Sequence, residues 1–245
     1  ICGGAAVTED LLARFDGRGV RISQAWGMTE MSPGGTMSMV RSAFEDSDDE
    51  ERRRLLALPG VAVAGVELRV VDDEGHPLPH DGSSAGELEA RGPWVVAAYY
   101  LPDDKSNEER FHDGWLRTGD IATIDQWGYV RIVDRAKDVI KSGGEWISSL
   151  ELENHLADHP DVVEAAVVGV SHATWQERPI ALLVLRSGAD LDETEMRAFL
   201  DRRVASWWIP DRFIAVEEIP HTAVGKTDKR ALRSSYATTL EEDGE

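Results

Sequence analysis

Near Asp134 the chain changes rhythm, and that change limits the folds open to it. Before Asp134 the apolar residues come in short β-like runs, Val66-Glu67-Leu68-Arg69-Val70-Val71, Gly86-Glu87-Leu88-Glu89-Ala90 and Val95-Val96-Ala97, with turn chemistry such as Asp72-Asp73-Glu74-Gly75 between them. A hairpin is predicted from Ile121-Ala122-Thr123-Ile124 through the turn Asp125-Gln126-Trp127-Gly128 to Tyr129-Val130-Arg131-Ile132-Val133. Ile1-Cys2-Gly3-Gly4 reads as a strand end entering a turn. Gln24-Ala25-Trp26 reads as a short strand opening a polar loop, and Ser32 to Ser38, rich in Gly and Ser, as loop. Beyond Asp134 helix signals appear. Ser148-Ser149-Leu150-Glu151 has capping-box spacing and predicts a helix that Pro160 stops, and Asp192-Glu193-Thr194-Glu195 repeats that logic before Met196, Phe199, Leu200 and Val204 on one helical face. Val162–Val170, Ile180–Leu185 and Phe213–Val216 read as strands, and a last helix is expected near Asp228. The fold class predicted is α+β: strands with a small β-barrel or sheet first, then a compact α+β unit of roughly a hundred residues.

Charge narrows the function classes. The 26 Lys and Arg stand against 46 Asp and Glu, a formal net charge of −20. Phosphate backbones repel such a chain, so no nucleic acid is expected as a partner. The acidic runs Glu45–Glu51 and Glu241–Glu245 read as solvated surface. No apolar run is long enough to span a bilayer, and no basic-then-apolar leader is read. Cys2 is the single cysteine, so no intrachain disulfide can form, which suits a reducing cytoplasm. A homodimer is left open.

Four segments carry chemistry. In Trp26-Gly27-Met28-Thr29-Glu30 a ring can stack on a base, Gly admits close backbone approach, Thr can donate to phosphate and Glu can hold Mg²⁺. A polar turn beside a buried Trp explains this segment as well when it is taken alone. In Asp113-Gly114-Trp115-Leu116-Arg117-Thr118-Gly119-Asp120 a carboxylate at a Gly-flanked strand end can accept from a ribose diol; an Asp closing a turn is the plainer account. Arg131, Arg135, Lys137 and Lys141 gather positive charge beside Ser142-Gly143-Gly144, whose backbone N–H groups suit an anion. In Pro220-His221-Thr222-Ala223-Val224-Gly225-Lys226 a Lys on a loop can reach a carboxylate and an α-phosphate together, though most exposed lysines serve only solvent.

Found together and in this order, the four segments resemble the adenylate-forming superfamily of acyl-CoA synthetases, peptide-synthetase adenylation domains and beetle luciferases. The likeness runs from Gly3 to Arg233 and is closest to medium- and long-chain fatty acyl-CoA synthetases, notably over Asp134–Ser149 and Trp175-Gln176-Glu177-Arg178-Pro179. The resemblance implies ATP, Mg²⁺ and coenzyme A, with a fatty or other carboxylic acid as substrate. It implies that residues 1–136 are the C-terminal part of the large AMP-binding domain and residues 137–245 the small mobile domain. By the same resemblance Gly4, Ala5 and Ala6 line the adenine and acyl pocket. Gln24, Ala25, Trp26, Gly27 and Met28 form the nucleotide-binding segment, with Trp26 where the family usually has Tyr. Thr29 contacts phosphate, Glu30 holds Mg²⁺, and Asp120, Ile132 and Arg135 surround the nucleoside. Lys137 is the hinge, Gly143 and Gly144 flank the coenzyme A channel, Trp146 borders that channel or the nucleotide, and Lys226 is the adenylation lysine. The implied reaction forms acyl-AMP and then, after the small domain turns about the hinge, passes the acyl group to the thiol. The family's Ser/Thr/Gly-rich phosphate loop ending in Lys is not found here, so a preceding part is expected to carry it with most of the acyl pocket, and the chain alone is expected to have little ligase activity.

Other chemistries find less support. His155 and His159 sit four apart on a predicted helix without a third ligand, and are expected to be surface or capping residues. No Gly-x-Ser-x-Gly elbow suggests hydrolysis. Trp207-Trp208 is expected to be core or hinge-side packing. A carrier-protein acceptor in place of coenzyme A is the alternative within the family, disfavoured because no carrier domain follows Arg233. An inert or purely nucleotide-binding module is the alternative outside it.

Overall fold

The structure is a computed structural model, and it describes residues 1–4, 7, 9–100, 104–222, 225 and 227–240. It divides into two compact units, Ile1–Val133 and Asp134–Glu245.

Among the described residues, the first unit holds two sheets and three α-helices. β1 (Cys2–Gly3), α1 (Glu9–Asp16), β2 (Gln24–Trp26), β3 (Thr36–Met37), α2 (Asp49–Ala57) and β4 (Val61–Ala62) come first. The sheet order is β1-β2-β3-β4, parallel only between β1 and β2. The second sheet is the expected small β structure, built as an open sheet from β5 (Glu67–Val71), β6 (Gly86–Arg91), β7 (Phe111–His112), β8 (Trp115–Ile124) and β9 (Val130–Arg135), with α3 (Asp104–Arg110) before β7. Its order is β5-β6-β8-β7, and β9 pairs with β8. Asp113 and Gly114, both at positive φ, form the two-residue loop between β7 and β8, the backbone that an Asp-Gly hairpin demands.

The sequence reading of this unit needs two corrections, and the acidic run, solvated as expected, turns out to hold a helix as well. Val95–Ala97 is not a strand: the segment turns, with the Val95 N–H bonded to the Gly92 carbonyl and the Val96 N–H to the Glu30 carbonyl. β3 lies inside the stretch read as loop. Part of the acidic run is helical: Asp48 caps α2 by accepting from the Glu51 N–H at 2.8 Å, and Asp49, Glu50 and Glu51 fill its first turn, where negative charge complements the helix dipole.

β8 carries a bulge that later matters. Glu87 pairs with Ile121 and Glu89 with Arg117, so Thr118-Gly119-Asp120 stands opposite Leu88 alone. The Thr118 hydroxyl fixes the extra residues, donating to the Leu88 carbonyl at 2.7 Å and accepting from the Asp120 N–H at 3.1 Å. Gly119 absorbs the distortion at φ +72, and a Cβ there would lie 2.9 Å from the Arg110 guanidinium.

The second unit runs β10 (Ile140–Ser142), β11 (Glu145–Ile147), α4 (Ser149–Ala157), β12 (Val162–His172), β13 (Gln176–Leu185), α5 (Glu193–Asp201), β14 (Arg212–Ala215) and α6 (Lys229–Ser235). Its sheet order is β11-β10-β13-β12, with β14 parallel to β13. Both faces of the long β12–β13 pair are covered, which is why those strands read as unbroken apolar runs. Val167, Ala181 and Leu183 pack with Leu152 and Leu156 of α4 and Met196 and Leu200 of α5. Ala166, Val168, Ile180 and Leu182 pack with Leu232 of α6. The predicted caps form, Ser148 accepting from Glu151 and Asp192 from Thr194 and Glu195, and Asp228, near which the last helix was expected, accepts from Ala231. His159 is a correction, for it is 3% exposed, packs edge-on against Phe199 and accepts the Asp161 N–H at Nδ1. Among the described residues no cluster of three or more His, Cys, Asp or Glu side chains suits a metal ion, and no helix is long and apolar enough to cross a membrane.

A buried polar chain ties this unit together. The Asp134 carboxylate accepts from the Ser149 and Leu150 N–H groups and the Ser149 hydroxyl, capping α4 from outside the helix. The Lys229 ammonium donates to the Ser149 hydroxyl and pairs with Glu153, both at 2.7 Å. Burial still pushes the Glu153 carboxyl above the ordinary carboxylate value, and Lys229 offsets that only in part. A raised carboxyl contributes stability below the ordinary carboxylate pKa and loses it as pH rises through the folded value. Lys229→Met raises Glu153 further. It is therefore expected to cost about 3–5 kcal/mol at pH 8, shrinking as pH falls through the Glu153 range, as measured by urea unfolding at a series of pH values. In the first unit Gly119→Ala forces a side chain into positive φ against Arg110, and a loss of about 1–3 kcal/mol in the same assay is expected.

Candidate functional site

In the first unit the carboxylate and the aromatic segment singled out above meet. Asp120, 6% exposed, is presented by the β8 bulge. The indole N–H of Trp26, at the end of β2, donates to Asp120 Oδ2 at 2.9 Å. Trp26 packs against both hydrophobic clusters of the unit, that of Val70, Leu88 and Ala122 and that of Met31, Ala90 and Leu116. Ile132, on β9, packs against the first of these clusters.

The rest of the segment continues from that anchor. Gly27 is sterically required, since a Cβ there would fall 1.7 Å from the Pro33 carbonyl oxygen. Met28 is extended, and Thr29, Glu30 and Met31 form a 3-10 turn closed by Ser32 in the left-handed region. Met31 is fully buried, which seats the turn and leaves Thr29 exposed. Glu30 is held from two sides: the Tyr99 hydroxyl donates to Oε1 at 2.7 Å, and the Glu30 carbonyl accepts the Val96 N–H. Burial, with Glu30 beside it, raises the Tyr99 phenol, so that hydroxyl keeps its proton and its donor role. Sequence reasoning missed Tyr99, because a Tyr sixty-nine residues away carries no local signal.

Other expected residues of this unit are placed as follows. Gln24 is buried, and its Oε1 accepts the Val7 N–H, so the side chain serves the backbone beyond β1. Ala25 pairs with Gly3 across the parallel β1–β2 contact, and Gly4 follows at φ +87. Ala5 and Ala6 lie outside the described residues.

In the second unit Arg135 and Lys137 are exposed around the turn that follows β9, where the Asp138 and Val139 N–H groups both bond to the Arg135 carbonyl. Gly143 and Gly144 make the β10–β11 turn at φ +61 and +88. Gly143 lies flat on Trp175, with room for no Cβ: one would come within 2.8 Å of the indole. Its N–H donates to the Trp175 carbonyl. Trp146, on β11, is half-buried with the Lys141 ammonium 6.0 Å from its ring centroid. Beside Gly143 opens a cavity of about 520 Å³ lined by Ser142, Trp175, Arg178 and Trp207. Trp207 thus departs from the packing role expected of it: only Trp208 packs on the core, while Trp207 is half-exposed at this cavity. Arg178 is tied to Asp211, to the Trp207 and Ile209 carbonyls and to Ser142, which fixes the cavity floor. The hint for this wall was Trp175 itself, in a stretch noted for resemblance but given no role. Lys226 lies outside the described residues, while Thr227, one residue on, bridges to His221.

Comparison with known proteins accords with this arrangement. Residues 1–100 match the AMP-binding enzyme model and residues 151–226 the AMP-binding enzyme C-terminal domain model. A long-chain-fatty-acid–CoA ligase of Thermus thermophilus is 46% identical over 96% of this chain and 44% of the relative. A medium-chain-fatty-acid–CoA ligase of Ectopseudomonas oleovorans is 44% identical over 98% of this chain and 44% of the relative. Among solved structures, o-succinylbenzoate CoA synthetase of Bacillus subtilis, in complex with its acyl-adenylate intermediate, superposes with a TM-score of 0.81 at 29% identity, over 94% of this chain and 45% of that one. The chain spans under half the length of each. With its segments matching the enzyme model and its C-terminal companion in order, and with an α+β fold shared at that level of identity, the chain belongs to the adenylate-forming AMP-binding enzyme family.

Proposed function

We propose that this chain carries part of an ATP-dependent acid–CoA ligase acting on a fatty or related carboxylic acid. The observation that bears most weight is the Asp120 carboxylate, held by the β8 bulge and met by Trp26. A carboxylate so placed suits a ribose diol, which offers two donors and no charge of its own. The relatives' names supply the acid and the thiol acceptor.

In this reading the substrate carboxylate oxygen attacks the α-phosphorus of ATP. The bond to the β-phosphate breaks, and pyrophosphate leaves with its electron pair. Asp120 fixes the ribose, and the Thr29 hydroxyl faces the phosphates. Lys226 brings positive charge to the oxygens that gain it in the transition state. Glu30 fits a Mg²⁺ site of the usual kind, in which one or two carboxylates share the ion with substrate phosphates. The ion, when bound, neutralises phosphate charge, and Tyr99 sets the orientation of the carboxylate that would hold it. In the second half-reaction the coenzyme A thiol sulfur attacks the acyl carbonyl carbon, loses its proton and displaces AMP. The side-chain-free Gly143-Gly144 turn and the cavity beside it support an approach for the narrow pantetheine arm along this face. Lys137 serves as hinge in the same reading.

Titration calorimetry of the chain with AMP and Mg²⁺ tests the nucleotide assignment. Binding is expected, and Asp120→Ala is expected to weaken it by roughly tenfold or more, the worth of hydrogen bonds to a charged acceptor. Full affinity in a folded Asp120→Ala chain, or no binding by the folded wild type, would reject the assignment.

A further inference from the structure

We infer that Trp26 is a positioning residue for Asp120: its indole N–H is a contribution to nucleotide binding separate from anything its ring face provides. The inference rests on the ribose-binding reading of Asp120 and goes beyond the stacking role expected of an aromatic residue here.

Three observations carry it. The Trp26 Nε1–H donates to Asp120 Oδ2 at 2.9 Å across ninety-four residues of sequence. This fixes the rotation of a side chain whose backbone is already fixed by Thr118. The donor is neutral, so it orients the carboxylate and leaves it the negative charge that draws ribose hydroxyls. Second, the indole has little freedom to turn away from the carboxylate. A Cβ on Gly35 would fall 2.7 and 2.8 Å from its Cζ3 and Cε3 atoms, so the ring's six-membered edge rests against bare backbone. Gly35 also donates its N–H to the Trp26 carbonyl. Third, Trp26 joins both hydrophobic clusters of its unit, which locks its rotamer. A group held on so many sides has one directed polar atom, and that atom points at Asp120. A phenylalanine at position 26 keeps a ring for stacking and lacks the N–H, so it separates the two roles.

The test compares wild-type and Trp26→Phe chains by calorimetry with AMP and with 2′,3′-dideoxy-AMP, which lacks the hydroxyls. Trp26→Phe is expected to weaken AMP binding roughly tenfold while the dideoxy affinity, already weak in the wild type, stays unchanged. Equal losses for both nucleotides would mean that the indole acts on the base, and no loss for AMP would mean that the N–H is idle; either overturns the inference while leaving Asp120 in place. A wild type that binds the two nucleotides equally, or neither, overturns the ribose reading itself and the inference with it. A ligand-free measurement guards against misfolding of the variant. In ¹H–¹⁵N spectra the Trp26 indole resonance, identified by its loss in Trp26→Phe, is expected to move in Asp120→Ala while most other indole resonances hold. An unmoved resonance denies the contact.

Discussion

A carboxylate taken out of water must be met by donors, and this requirement shapes both units. Asp120 on β8 and Asp134 on β9 are 6% and 4% exposed. Desolvating an ion without partners costs several kcal/mol, so each drags its surroundings into a particular form. For Asp120 the surroundings are a bulge that turns the side chain toward an indole N–H. For Asp134 they are the first turn of α4, whose unsatisfied N–H groups and N-terminal dipole need an anion as much as the anion needs them. Among the described residues no buried side-chain polar atom lacks a partner. The polar interior is thus as specified as the apolar one.

In this acidic chain the cations divide between two settings. Arg131, Arg135 and Lys137 stay on the surface. Arg178 and Lys229 act instead as fasteners. Arg178 fastens β13 to the segment before β14 through Asp211 and two carbonyls. Lys229 fastens the start of α6 to α4 at Ser149 and Glu153. Because Ser149 also donates to Asp134, one connected path runs from the end of β9 through α4 to the base of α6, three residues past Lys226. The same helix that receives the Asp134 cap therefore supports the anchor of the loop that bears the expected adenylation lysine.

What could be read from the sequence was whatever depends on neighbours in the chain. Ser148, Asp192 and Asp228 announced helices because a cap acts two or three residues away. The β12–β13 pair announced itself because both its faces are apolar. α1 is eight residues long, too short for its apolar stripe to stand out in the sequence. α2 hid inside an acidic stretch whose exposed charges masked the cap at Asp48. Val95–Ala97 has the composition of a strand and turns instead, because its backbone is claimed by Gly92 and by the carbonyl of Glu30. At the candidate site, residue types in order pointed to Trp26, Glu30 and Asp120 as expected members, and the structure brings Trp26 and Asp120 into contact. Residue types could not show that Tyr99 grips Glu30 or that Trp207 walls a cavity, since both facts arise from contacts between distant segments.

The same distinction explains why the aromatic residue at position 26 is easy to misjudge. In sequence it is a substitution within a class, Trp where the resembled family usually has Tyr, and ring area alone makes the change look neutral. In the folded unit it differs from Tyr in two ways that depend on each other. The bicyclic ring needs space on one side, which Gly35 supplies by having no side chain. The N–H sits on the five-membered ring, away from that contact, so seating the six-membered ring on Gly35 directs the donor to the carboxylate. Filling position 35 would displace the ring, and with it the indole N–H that donates to Asp120. A glycine with no polar atom in its side chain thus helps set the direction of a hydrogen bond in which it takes no part.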